Sequence, residues 1–430
     1  MNRFLEYIII IGFIICQMIF SLPLMSNDVS ESTESSFWQQ EKITGKWGDF
    51  RNTLNDNGVF IDAVYKSEVW NAGLRDSVKN FYYLDNLDLM LLLDLEKITG
   101  WNGASFYFHS ISDYGGNPGE QIGSKMGISN IETSDSWRVF ELFLQQNLFD
   151  NKLSLYMGLL DLNSMFDVKQ VGSLFLNPAH GIGVDFAQSG KNGPSIFPFS
   201  SLGFVARLSF LSNNYFQFGI FDGLSGDTNN FKGNPIIINK NDGLLISSKI
   251  VNEHGWRSTP ELKNEKENNL PYSKIEVGAW YYTDSYNHLF SNVTSYGIYG
   301  LFEQDIYQEN ETPGEGLSIY GRMGIADDLT NQFDYFIGAG FVYQGLIPGR
   351  NEDRFGFGFL FAHNAYVYRM EKSTRNEFYD LYEQNFELTY KLYITPAIAL
   401  QPNIQYLVSP SKVDLKENLL VFGLRLTLIF

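Results

Sequence analysis

The chain has 430 residues and a formal net charge of −18; 44% is hydrophobic, 16% aromatic and 19% charged, with a single cysteine. The apolar and aromatic content excludes a disordered chain. The acidic balance excludes a nucleic-acid footprint, and one cysteine excludes a disulfide scaffold.

Met1-Asn2-Arg3 opens the chain, and an apolar run from Tyr7 to Met25 follows, broken by Ser21, Pro23 and Ser26. This pattern reads as a cleaved secretory signal over 1–26, with an uncleaved membrane anchor as the alternative. Glu6 is at odds with a purely basic start. Cys16 lies inside the run, so a cleaved chain carries no cysteine, which suits an oxidising compartment. Arg3 and Glu6 cancel, and the charge of −18 stays with the mature chain. Residues 27–58 form a polar lead-in. In it Trp47, Phe50 and Leu54 share one helical face.

From residue 59 the periodicity is two. Leu87, Leu89, Leu91, Leu93 and Leu95 share a face against Asn86, Asp88 and Asp94. Leu202, Phe204, Ala206, Leu208 and Phe210 oppose Ser201, Gly203, Arg207 and Ser209. Such alternation marks strands with one apolar and one polar face. Strands are predicted near 59–69, 83–95, 104–113, 137–147, 152–162, 201–211, 214–223, 243–253, 274–283, 295–304, 316–326, 334–344, 354–364, 383–394, 397–408 and 418–430. The connections alternate. Asp150–Asn151, Ser212–Asn214 and Thr395–Pro396 are tight; 113–136, 163–200 and 373–383 are long and polar. Short turns at one end and long loops at the other, with an even strand number near sixteen, predict an outer-membrane barrel. The fold class is therefore all-β: a transmembrane antiparallel up-and-down β-barrel over 59–430, with long extracellular loops. The segment 27–58 is then a short helical, periplasmic piece under the barrel opening, or a plain tether. The final strand ends on Phe430, which resembles the signal read by barrel-assembly machinery.

Several stretches carry a family resemblance. They are Thr44-Gly45-Lys46-Trp47-Gly48-Asp49-Phe50-Arg51, then Arg138-Val139-Phe140-Glu141-Leu142, and Leu153 through Asn163. Ser201-Leu202-Gly203-Phe204, Gly219-Ile220-Phe221-Asp222-Gly223, Gly345 through Arg350, Phe386 through Tyr390 and Leu400 through Tyr406 complete the set. In order and spacing the chain resembles the carbohydrate-selective porin family of Gram-negative outer membranes. The resemblance runs from about Ile43 to Phe430 and is thinnest over 224–272 and 365–382. It implies a sixteen-stranded, monomeric channel for passive uptake of sugars such as glucose, integral to the outer membrane and in contact with its lipids. No cofactor or metal is implied.

A channel of this kind exchanges the hydration shell of a sugar for fixed donors and acceptors. Arg and carboxylates supply directional, charge-assisted hydrogen bonds, and aromatic rings pack on CH faces. The candidate sugar-binding residues are Arg138, Glu141, Asp161, Arg207, Glu387, Gln405 and Arg425. The alternative for each is a lumen charge that tunes only field and hydration. Strict alternation puts Arg138 and Glu141 on opposite faces, so keeping both requires a strand edge or a bulge. The stretch 163–200 is far longer than an ordinary connection. Its Phe175, Phe186, Phe197 and Phe199 are too apolar for a solvated tip. It is expected to fold into the lumen as a constriction, or else to cap the barrel mouth. The net charge leads to one further expectation, a channel that disfavours anions.

The chain has no Gly-x-Ser-x-Gly elbow and no Walker spacing. Its histidines at 109, 180, 254, 288 and 363 show no metal spacing. A general diffusion porin, an outer-membrane barrel enzyme and a secreted β-protein are the competing readings.

Overall fold

The computed structural model describes residues 37–72, 81–226, 242–257, 270–287, 292–309, 314–410 and 418–430. The expected signal and the start of the lead-in lie outside these residues. The strands are β1 (Val59–Ala72), β2 (Phe81–Asp94), β3 (Ala104–Tyr114), β4 (Ser136–Leu148), β5 (Leu153–Leu160), β6 (Ser201–Leu211), β7 (Asn214–Asp222) and β8 (Leu244–His254). They continue with β9 (Ser273–Tyr282), β10 (Tyr296–Gln308), β11 (Gly316–Ala326), β12 (Phe333–Gln344), β13 (Arg354–Asn364), β14 (Tyr382–Thr395), β15 (Ile398–Val408) and β16 (Leu419–Ile429). Each is antiparallel to its neighbours in the chain, and β1 pairs with β16, so the sixteen strands close into one barrel. Every predicted strand is present. The largest disagreements are at strand ends. The end of β10 runs to Gln308 because a register shift between Asp305 and Tyr307 breaks the alternation without ending the pairing.

Alternation decides which side chains meet lipid. On β13, Phe355, Phe357, Phe359 and Phe361 point outward, while Gly356, Gly358, Leu360 and Ala362 point in. The aromatics supply the apolar band a bilayer requires. The small inward residues leave room for chain inside the barrel. A Cβ on Gly358 would meet the His180 ring at 2.5 Å, and one on Gly356 would meet Leu174 at 2.8 Å.

Among the described residues the lead-in forms a 3-10 turn at Phe37–Gln39 and a short α-helix, α1 (Phe50–Asp56), the latter at the end of the barrel that carries the short turns. The Ile43 N–H donates to the Ile429 carbonyl at 2.8 Å, and Lys42 pairs with Asp62. The segment thus rests on the rim formed by β1 and β16. The expected apolar stripe is not the buried face. Phe50 and Trp47 stay exposed, whereas Arg51 is buried. Arg51 donates to the Gly45 carbonyl at 2.8 Å and stacks on the Trp47 ring at 4.1 Å. Two helical turns are too short to bury a stripe against the barrel, and the guanidinium ties down the preceding turn instead.

The closing seam depends on one glycine. Trp70 of β1 is fully buried and lies opposite Gly423 of β16, where an added Cβ would meet its ring at 2.4 Å. Gly423→Val is expected to overpack this seam by about 1–3 kcal/mol. Its folded fraction on heat-modifiable gels should fall at a lower temperature than that of the wild type.

Candidate channel constriction

Two of the long loops enter the barrel: 115–135 between β3 and β4, and 161–200 between β5 and β6. Both are held by carboxylates on the inner wall. Glu383 of β14 accepts from the backbone N–H of Lys125 at 3.1 Å and from the Ser124 hydroxyl at 2.6 Å. Glu387 of β14 accepts from Leu176 N–H at 2.6 Å and Asn177 N–H at 3.0 Å. Glu303 of β10 accepts from Val171 N–H at 2.6 Å and Gln170 N–H at 2.9 Å. Glu276 of β9 accepts from Asp167 N–H at 3.0 Å. All four carboxylates are buried. Charge-assisted bonds to paired backbone donors are among the stronger hydrogen bonds a protein makes.

Ion pairs and aromatics complete the docking. Arg322 of β11 bonds Asp167 and Asp185 of the second loop, and Lys169 pairs with Asp167 at 2.6 Å. Phe186 stacks on Trp280 at 4.3 Å between centroids, and Phe166 lies in the same buried cluster. Phe175 packs against His180 and Tyr320. The loop 161–200 therefore occupies the lumen and does not cap the mouth. Of its four noted phenylalanines, Phe175 and Phe186 are buried, while Phe197 and Phe199 stay half-buried.

The seven predicted residues separate into groups. A register shift opposite Phe140 supplies the bulge that the alternation required, and both Arg138 and Glu141 turn inward. Arg138 donates to Ser136 at 3.0 Å and stacks on Phe199 at 4.4 Å. Glu141 lies 3.3 Å from His109, whose other nitrogen is 3.0 Å from Asp88. Asp161, at the root of the second loop, donates its N–H to Glu141 at 3.4 Å and caps Asn163 at 3.0 Å. Arg207 stands apart, bonded to Gln217 at 3.0 Å and over the Tyr215 ring. Glu387 and Gln405 lie beneath the loops. Gln405 is fully buried and donates to the Ile128 carbonyl at 2.7 Å. These two were expected to face the lumen, but the loop backbones cover them. Arg425 pairs with Glu68, reaches Asn130 of the first loop and lines an open cavity.

Two cavities mark the passage. The outer one, about 430 Å³, is lined by Glu120, Lys125, Gln188 and Gln332, among others. The inner one, about 360 Å³, lies toward the short turns and is lined by Lys66, Asp88, Arg354, Lys391 and Arg425, with several amides. Asn130 of the first loop and Phe197 of the second line both cavities, and so mark the neck between them.

Four cations and one carboxylate line the inner cavity. This cavity runs against the expectation of an anion-averse pore, whereas the outer one carries Glu120 and Glu132 against Lys125. The wall carboxylates named above are buried as acceptors for the loop backbone, which leaves cations on the open surface. Lys66, Arg354, Lys391 and the neck pair were missed as site residues. Alternation was the available signal, since Arg354 heads the inward face of the phenylalanine strand β13.

Residues 79–430 match the profile of the carbohydrate-selective porin, OprB family. The chain belongs to this family. Porin B of Pseudomonas aeruginosa is 25% identical over 429 residues, which cover 90% of this chain and 91% of that protein. OprB of Pseudomonas putida solved at high pH superposes with a TM-score of 0.79 at 21% identity, covering 92% of this chain and 100% of that one. Its low-pH structure gives a TM-score of 0.60 at 20% identity, over 92% and 100%. Both structures share the fold. As a carbohydrate-selective porin with a β-barrel fold, the protein is an integral channel of the Gram-negative outer membrane.

The porin's clamps make a mutational prediction. Replacing Glu303 and Glu387 together by Ala removes bonds worth about 1.5–3 kcal/mol each. Single-channel conductance and its noise are expected to rise while the barrel stays heat-modifiable. Unchanged conductance would show that the loop holds without these clamps.

The first loop makes a prediction about pH. Its Glu132 accepts from Gly119 N–H at 2.8 Å and Ile128 N–H at 3.0 Å. Burial nevertheless pushes this carboxyl up to about 7, against the pull of those donors. The docked loop thus binds more protons than an undocked one between the ordinary carboxylate range and 7. Docking is strongest below that window and weakens as pH rises through it. Conductance noise should grow between pH 5 and pH 8, and Glu132→Gln should flatten that trend.

Proposed function

We propose that the protein passes monosaccharides such as glucose by passive diffusion, and that selection occurs at the neck marked by Asn130 and Phe197. The observation carrying this reading is that these two residues, one from each docked loop, line the cavities on both sides. An amide and an aromatic ring match the two surfaces of a sugar, its hydroxyls and its CH face. Arg425 supports the amide, since its guanidinium bonds the Asn130 side-chain oxygen and leaves the Asn130 amide donors directed elsewhere. Arg138 supports the ring side, with a bond to the Pro198 carbonyl at 3.3 Å and its stack on Phe199. Glu141 and Asp161 set the root of the same loop. Glu387 and Gln405 act on the sugar indirectly, by fixing the loops.

No nucleotide, ion gradient or cofactor is needed for such transfer. A general diffusion pore is the competing reading, and size alone would then order the solutes. Purified protein in liposomes separates the two. Glucose is expected to enter faster than an amino acid of similar size. Phe197→Ala should narrow that difference several-fold while the barrel remains folded. Equal rates for the two solutes in the wild type would leave a general porin.

A further inference from the structure

The inner cavity carries a charge pattern that a neutral sugar does not require. Its four cations fall into two classes. Lys66 pairs with Asp88 at 2.7 Å, and Arg425 pairs with Glu68. Arg354 and Lys391 form no ion pair among the described residues. They are direct cross-strand partners in the β13–β14 register. Like charges placed directly opposite one another in a sheet are destabilising. The Arg354 Nε is buried and has no hydrogen-bond partner.

The neighbouring acid does not relieve the pair. Asp353 adjoins Arg354 in sequence, but its carboxylate accepts from Arg350 at 2.9 Å, from the Tyr390 hydroxyl at 2.8 Å and from the Tyr393 N–H at 2.9 Å. The wall thus keeps two adjacent cations unneutralised and directs the nearest carboxylate elsewhere. Around them the cavity offers neutral hydrogen-bonding groups, among them Asn86, Asn130, Gln401 and Thr427. Its volume of about 360 Å³ lies at the small end of the range for small-molecule sites.

We infer that Arg354 and Lys391 form an anion subsite on the inner side of the neck, and that the channel takes hydroxylated carboxylates, the sugar acids, in preference to neutral sugars. The carboxylate lies against the cation pair, where a guanidinium can bond it through two N–H groups. The hydroxyls meet the surrounding amides. The inference rests on the channel reading above and adds a charge requirement to it.

The test is conductance block in planar bilayers with the full-length protein. Glucuronate and glucose are the probes, alongside the reversal potential in a potassium chloride gradient. Wild-type protein is expected to favour chloride over potassium and to be blocked by glucuronate at about one tenth of the glucose concentration. That tenfold ratio corresponds to about 1.4 kcal/mol. The double variant Arg354→Gln, Lys391→Gln should lose the glucuronate preference and shift the reversal potential toward potassium, while the barrel stays heat-modifiable. Raising the salt should shrink the preference in the wild type, because screening weakens charge contacts. Glucose block with no glucuronate preference overturns the subsite and leaves the sugar channel intact. A preference that survives the double variant also overturns it. Block by neither solute sinks both readings.

Discussion

The interior of this barrel depends on buried wall carboxylates that accept hydrogen bonds from the backbone of inward-folded loops. A loop without regular structure carries N–H groups that must be satisfied once water is excluded. Here Glu276, Glu303, Glu383 and Glu387 satisfy them from four positions around the wall. The cost of burying each carboxylate is offset by the same bonds. Neither partner is stable in the lumen without the other. The short helical turns at Gly172–Leu174, Pro178–His180 and Val184–Ala187 give the second loop enough local order to present its amides in register with these acceptors.

This arrangement separates the charge of the chain from the charge of its passage. A formal charge of −18 describes the whole sequence. The surface that a solute meets in the inner cavity is set by what remains after carboxylates are enclosed. Lys66, Arg354, Lys391 and Arg425 remain on it, against Asp88. Local potential in a low-dielectric channel follows the nearest groups far more than the net charge.

The barrel was legible in the sequence because a bilayer imposes period two on every strand that faces it. β13, with phenylalanine at every outward position from 355 to 361, is the plainest case. The phenylalanines of 163–200 pointed to a packed loop but left lumen entry and a cap over the mouth equally open; Phe175 and Phe186 are the two that the lumen buries. The composition of the passage was far less so. Alternation tells an inward residue from an outward one, but not whether a loop will cover it. Glu387, Gln405 and Arg425 look alike in sequence, yet the first two lie under loop backbone and the third opens on a cavity. Alternation alone puts Arg138 and Glu141 on opposite faces, and the bulge at Phe140 is the local feature that lets them share one. The lead-in shows the reverse case. Its helical stripe was legible, but the buried face belongs to Arg51.

The distance along the chain between loop and clamp sets an order of events. Leu176 bonds a carboxylate 211 positions later, and Ser124 bonds one 259 positions later. Docking of the two loops is therefore incomplete until β14 is in place, although β9 and β10 already offer Glu276 and Glu303 to the second loop, and contacts of such separation form slowly. That strand is also part of the wall, so the wall and its narrowing are completed together. The narrowing thus joins the two halves of the chain, since a loop from the first half is fixed by carboxylates that the second half supplies.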